Sequence, residues 1–239
     1  MIRHFIQASV VFICANALAA GTSGFGLSVL VGDEPRPEYH ARGTIYVEAI
    51  RGESYALRIT NPMPYRVAVA LSVDGLNTID ARHTDAWSAA KWVVGPYEST
   101  VISGWQVSDR TARRFFFTGE NDSYGAALGK TENLGVIEAV FFPERHREIT
   151  VYAPRSKAEA APEAQRATPS DDYAATGMGE RTGHEVERVD IDLERRPVAS
   201  VRIRYEFRPQ LIKLGVFTYD PMQRRERAKG FERFCPEPK

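Results

Sequence analysis

The sequence predicts an all-β protein, an antiparallel β-sandwich-like domain with a C-terminal β-hairpin docked on it. Three observations predict this. From Gly43 to Phe142, short runs of β-branched and aromatic residues alternate with polar ones. Turn residues punctuate these runs at spacings of about 8 to 12 positions, and no long stretch of 3.6-residue apolar period competes with them.

The elements follow in order. Residues 21–42 are rich in Gly and Pro around a short apolar stretch, 27–31, and read as an N-terminal arm or an edge strand. The sandwich proper is expected over 43–152. Residues 44–47 and 55–60 alternate on either side of the turn Arg51-Gly52-Glu53, and the second run stops at Asn61-Pro62-Met63-Pro64, whose prolines cannot donate to a ladder. Residues 66–73 set Val67, Val69, Leu71 and Val73 on one face and run into Asp74-Gly75. That dipeptide suits the two-residue hairpin turn with positive φ at both central positions. The return strand is expected at 76–80, followed by a polar loop over 81–90. Further strands are expected at 91–94, 99–107, 114–118 and 135–142, with a loop rich in Gly, Asn and Asp over 119–133.

Residues 153–183 are nearly free of large apolar side chains and read as a linker or loop. Beyond them, Val189, Ile191 and Leu193 alternate with Asp190, Asp192 and Glu194, and Val201, Ile203, Tyr205 and Phe207 alternate with Arg202, Arg204, Glu206 and Arg208. This period-two pattern predicts an antiparallel hairpin within 184–220, acidic strand facing basic strand, with a further strand at 211–217. An isolated hairpin is marginal in water, so its apolar face needs the sandwich to cover it. Residues 221–239 read as a basic C-terminal tail.

Residues 1–20 carry the pattern of a secretory signal peptide: Arg3 and His4, then a mostly apolar run interrupted by Gln7, then A-x-A sites at 15–17 and 17–19. The run is shorter than the ~20 residues of a spanning helix. The expected location is the periplasm or the cell exterior, with no transmembrane span after cleavage. Cleavage removes Cys14 and leaves Cys235 alone, so no internal disulfide is expected and apolar packing must hold the fold. Lys+Arg and Asp+Glu are both 31, a formal charge of zero. No global field therefore draws the chain to nucleic acid.

Several sets of residues could carry chemistry. Trp87, Tyr97 and Trp105 could form an aromatic platform for a sugar ring or another apolar ligand, with core packing as the competing role for Trp92 and Trp105. Asp80, His83 and Asp85 lie close enough in one loop for a metal or for acid–base work, with a solvated turn as the plainer alternative. Residues 120–125 offer oxygen ligands of the kind Ca²⁺ favours, without the order of an EF-hand. Thr176-Gly177-Met178-Gly179, followed by His184, is superficially like a phosphate loop, but it lacks a Walker lysine and reads better as a flexible joint. The basic run 224–229 could meet an anionic surface. No catalytic triad and no cofactor motif is present.

Val73-Asp74-Gly75-Leu76-Asn77, Gly104-Trp105, Ser123-Tyr124-Gly125 and Gly135-Val136-Ile137 together resemble exported bacterial proteins of uncharacterised function. The resemblance covers residues 45–142 and implies export, with no activity and no site residues. The expectation is an exported, non-catalytic binding or interaction module for a protein or glycan ligand. Its rivals are a secreted metal-dependent or hydrolytic enzyme using the 80–85 and 120–125 loops, and a structural subunit pairing through its C-terminal hairpin.

Overall fold

The computed structural model describes residues 24–145 and 170–217. The expected signal peptide, residues 153–169 of the expected linker, the expected basic tail and both cysteines lie outside the described residues.

Two sheets pack face to face. The first contains β1 (Gly26–Val31), β2 (Glu34–Pro35), β5 (Ser54–Thr60), β9 (Ser99–Ile102), β10 (Gly104–Ser108), β11 (Thr111–Gly119) and β13 (Ala174–Gly183). The second runs in the order β3 (Glu38–Ala41), β4 (Thr44–Ala49), β14 (Ala199–Phe207), β12 (Val136–Pro143) and β6 (Val67–Val73), and β7 (Leu76–Asn77) and β8 (Trp92–Val94) both pair with β6. Helix is confined to short pieces, α1 (Tyr124–Ala127) and α2 (Arg208–Lys213).

The expected alternation places the core. Val69, Leu71, Val73, Ile137, Phe141, Ile203 and Tyr205 from one sheet meet Val29, Leu57, Ile59, Phe115 and Phe117 from the other, all fully shielded from solvent. Tyr55 stacks on Phe117 at 4.2 Å, and Phe25 packs against Phe141 at 4.8 Å. Burying each such side chain is worth about 1.5–3 kcal/mol, which lets the described fold stand on apolar packing. The segment expected as an arm or an edge strand therefore holds a strand that supplies core: Phe25, Leu27 and Val29 all belong to that core.

Within the first sheet, β5 and β11 touch only at Tyr55–Phe115 and Ser54–Phe116 and then diverge. β9 descends along β5 and β10 climbs along β11, so the pair fills the fork as a V. The run expected as one strand over 99–107 is thus two strands with different partners. Gly104 sits just past the tip of the V, where a Cβ would lie 2.0 Å from the Arg113 carbonyl oxygen.

Four expectations are corrected. Residues 189–193 and 201–207 form no hairpin. β14 lies between β12, antiparallel to it, and β4, parallel to it, so both its edges are taken by long-range partners and the second sheet is mixed. The 189–193 segment runs along the sheet margin, touching it through a Glu144–Leu193 bridge, and Val189 stays exposed. The acids opposite the β14 arginines are instead Glu138, for Arg202, and Glu206 on the same strand, for Arg204. The strand expected at 211–217 is replaced by α2, which begins with Pro209 in its first turn, a position where the missing N–H costs nothing. The return strand expected over 76–80 is only Leu76–Asn77, because the Asn77 side chain turns the chain by accepting from the Ile79 N–H.

The fourth correction is β13. Residues 174–183, expected within a linker that ended in a flexible joint, pair along the whole of β11. Their small side chains suit the bulk opposite: Phe116 pairs directly with Gly177 and lies across both Gly177 and Gly179, while Trp105 Nε1 donates to the Gly177 carbonyl at 3.2 Å. An aromatic ring covering a cross-strand glycine restores the packing that the glycine lacks.

Candidate functional site

The free edge of β13 faces the second sheet, and carboxylates from that sheet accept from its backbone. The Thr176 N–H donates to Asp74 Oδ2 at 2.7 Å, and the Ala174 N–H points at Glu206 Oε2 at 3.4 Å. The other Asp74 oxygen accepts from the Gly135 N–H at 2.8 Å and the Tyr205 hydroxyl at 2.5 Å. Thr176 Oγ1 lies 2.6 Å from both the Tyr205 and the Tyr55 hydroxyls, so one polar chain runs Asp74–Tyr205–Thr176–Tyr55 across the interior. An edge strand satisfied in this way offers fewer open groups to other chains.

The local sequence explains how Asp74 reaches this position. Asp74 and Gly75 have φ of +53° and +72°, the two-residue turn expected between Val73 and Leu76. The turn is roofed by the 132–135 segment, so the Asp74 side chain is directed inwards and only 1 % exposed. Burial pushes the Asp74 carboxyl up to about 7, against the Tyr205, Thr176 and Gly135 donors that hold it down, and the charge of Glu120 adds to the rise. Burial and the neighbouring Asp74 charge hold the Tyr55 and Tyr205 phenols well above their ordinary range. This chain is enclosed, so it is a structural element and not a site that a ligand can enter.

On the opposite side of the same turn lies a cleft of about 280 Å³. Its floor is the outer face of the second sheet, Ala70 and Ser72 of β6, Glu138 and Val140 of β12 and Arg202 of β14. Its roof is the loop 82–86 with Ala89, and Gly75 and Asn133 close one end. The roof is tied down by Asn77 Nδ2 to the Ala90 carbonyl at 2.8 Å and by Lys130 Nζ to the Ala81 carbonyl at 2.9 Å. The Asp74-Gly75 turn thus serves two sides, anchoring β13 inwards and bounding the cleft outwards.

The residues singled out in the sequence are distributed as follows. His83 and Asp85 line this cleft and Asp80 does not. The Asp80 and Asp85 carboxylates each accept from a nearby backbone N–H, of Arg82 at 3.1 Å and of Ser88 at 3.0 Å, and so shape the loop. The Ser88 contacts hold the Asp85 carboxyl below its ordinary range. Among the described residues, no three His, Cys, Asp or Glu side chains gather as a metal would require. The 120–125 segment does not line the cleft; there Ser123 caps α1 by accepting from the Ala126 N–H.

The three aromatic residues do not form a platform. Trp105 is 2 % exposed and packed on Phe115 and Tyr124, so it presents no face to a ligand. Tyr97 is 71 % exposed in the turn after β8. Trp87 is 38 % exposed, yet Phe142 meets it edge-on at 5.5 Å, and Lys91 Nζ and Arg195 Cζ lie 5.5 and 5.8 Å from its ring centroid. Lys91 also donates to the Trp87 and Ala89 carbonyls, and burial lowers its ammonium pKa. Trp87 therefore pins the loop that roofs the cleft onto the sheet. Trp92, expected in the core, packs against it and donates to Thr78 Oγ1 at 2.9 Å.

Sequence reasoning missed Arg82, Asn133 and Arg202 as cleft residues, because they come from three separate segments and meet only through the sheet order. Fold and site together define a two-sheet β-sandwich with a cleft on the outer face of one sheet. No family model, curated protein or solved structure matches the chain, and these comparisons do not bear on the resemblance to exported bacterial proteins.

Proposed function

We propose that the protein is an exported, non-catalytic binding module that takes a small ligand in the cleft between the 82–89 loop and the second sheet. The observation that carries this reading is the cleft itself, a concavity with an apolar floor patch, Ala70 and Val140, ringed by polar side chains. Ligand sites combine these features. Export rests on the signal-peptide pattern of residues 1–20. Against the enzyme reading, the acids in the cleft have internal partners: Asp85 bonds Ser88, and Glu138 bonds Arg202 at 3.0 Å. Neither is left poised as a general base beside a nucleophile. No helix among the described residues is long and apolar enough to cross a membrane.

The test is a fragment screen on isotope-labelled protein lacking residues 1–20, read by amide shifts. The expected result is that hits move the amides of Ser72, Gly75, Thr84, Asn133 and Glu138 together and that the fragments are recovered unchanged. Hits that cluster on another face, or a fragment converted to product in the tube, would contradict the reading.

A further inference from the structure

The bonding already spent inside the cleft says which ligand chemistry remains to be met. Both acids lining it already face charge or donors of this chain: Asp85 Oδ1 accepts from the Ser88 N–H and the Asp85 charge acts on Lys91, while Glu138 Oε1 accepts from Arg202 Nη2 at 3.0 Å and faces Ser200 Oγ at 3.4 Å. The donors are not engaged to the same extent. The Arg82 guanidinium and the Asn133 side-chain amide make no hydrogen bond to any described residue, and Arg202 uses only Nη2, leaving Nε and Nη1. His83 Nε2 is 3.9 Å from Glu132 Oε2, beyond hydrogen-bond reach. The cleft thus holds one cation, Arg82, that no carboxylate of the described residues pairs, and a second, Arg202, with two N–H edges to spare.

We infer that the cleft takes a compact oxyanion, a carboxylate or phosphate carried on a small ring or chain, with Arg82 and the free edge of Arg202 as its charged contacts. This rests on the binding-module reading above and deepens it. A guanidinium presents parallel N–H groups at the spacing of two carboxylate or phosphate oxygens, and such charge-assisted pairs are roughly twice as strong as neutral ones. The apolar patch formed by Ala70, Ala86, Ala89 and Val140 supplies the surface on which the uncharged face of the ligand lies. The volume, about 280 Å³, is that of a single sugar-sized ring. The two anion types share this chemistry and are separated by experiment.

Three probes with one ring frame make the test: D-glucuronate, D-glucose 6-phosphate and D-glucose, each titrated into the protein with amide shifts as the readout. Either charged probe is expected to saturate the cleft amides and glucose to leave them unmoved. Whichever charged probe binds more tightly identifies the anion. The Arg82→Ala variant is expected to weaken that probe at least about tenfold, the loss of one charge-assisted pair. Half-molar NaCl is expected to weaken it in the same sense. Glucose binding as well as the charged probes, or unchanged affinity in Arg82→Ala, overturns the oxyanion assignment while leaving the cleft a binding site. Silence from all three probes overturns the assignment too, and the fragment screen then decides the broader reading independently.

Discussion

Replacing Asp74 with Ala is expected to cost on the order of 3–5 kcal/mol and to leave little folded protein at 37 °C. Three buried donors, the Gly135 and Thr176 N–H groups and the Tyr205 hydroxyl, would lose their acceptor at once. Each unsatisfied buried donor costs about 1–3 kcal/mol. The φ of +53° at this position adds strain for Ala that Asp and Asn tolerate. Asp74→Asn is the more informative variant, because it preserves shape and removes the charge. Its amide oxygen can accept from Gly135 and Tyr205, but its NH₂ group then faces the Thr176 N–H, donor against donor.

The pH dependence follows from the same carboxyl. Its folded pKa of about 7 lies above the 3.8 of an ordinary aspartate, so the folded state holds its proton more tightly than the unfolded chain. The associated stability is present in full below about pH 4 and is lost as pH rises through 7. Between pH 5 and pH 8 the wild type is expected to lose roughly 2–3 kcal/mol from this group, at about 1.4 kcal/mol per pKa unit. Burial raises Glu206, Glu120 and Glu38 in the same direction. Urea unfolding at the two pH values, with Asp74→Asn alongside, checks this. The variant should lose the Asp74 share of the slope; a wild type more stable at pH 8 than at pH 5 would contradict the assignment.

Gly104→Ala is the second large effect. The added Cβ would meet the Arg113 carbonyl oxygen at 2.0 Å and its carbon at 2.5 Å, both backbone atoms of the paired strand. No rotamer change relieves such an overlap. The V formed by β9 and β10 must open, exposing Ile102 and Trp105, at a cost of about 3 kcal/mol or more. Gly183→Ala is the matched control: it lies in β13, in the same sheet, with open space around it, and should change stability by no more than about 0.5 kcal/mol. The urea midpoints of the two variants give the comparison directly, and equal midpoints would sink this account of the fork.

What was legible in the sequence was local and apolar. The alternation of residues 66–73 showed their inner face, residues 135–142 were readable as a strand, Asp74-Gly75 showed its turn, and Trp105 was readable as core. The misplacements have one cause, which is that strand partners are chosen over long range. Residues 189–193 carry the right pattern for a hairpin with 201–207, but both edges of β14 are taken by β4 and β12, which leaves no ladder position for that acidic segment. β13 was hidden because its stability comes from the bulk of Phe116 and Trp105 across the ladder, while its own residues are small. A turn aspartate is ordinarily solvated. Nothing near Asp74 in sequence announced that Gly135, Thr176 and Tyr205 would enclose it. The cleft follows the same rule, since His83 and Asp85 were singled out while Arg82 beside them and Arg202 far away were not.

The central structural claim is that one buried carboxylate holds the free edge of β13 to the second sheet and thereby fixes the turn that bounds the cleft. Native-state hydrogen exchange of the Thr176 amide tests it most directly. The account predicts that this amide, although on a strand edge, exchanges at least about a thousandfold more slowly than an unfolded chain in the wild type, and markedly faster in Asp74→Asn, where other β13 amides paired to β11 change less. A Thr176 amide that exchanges at close to the unfolded rate in the wild type would contradict it.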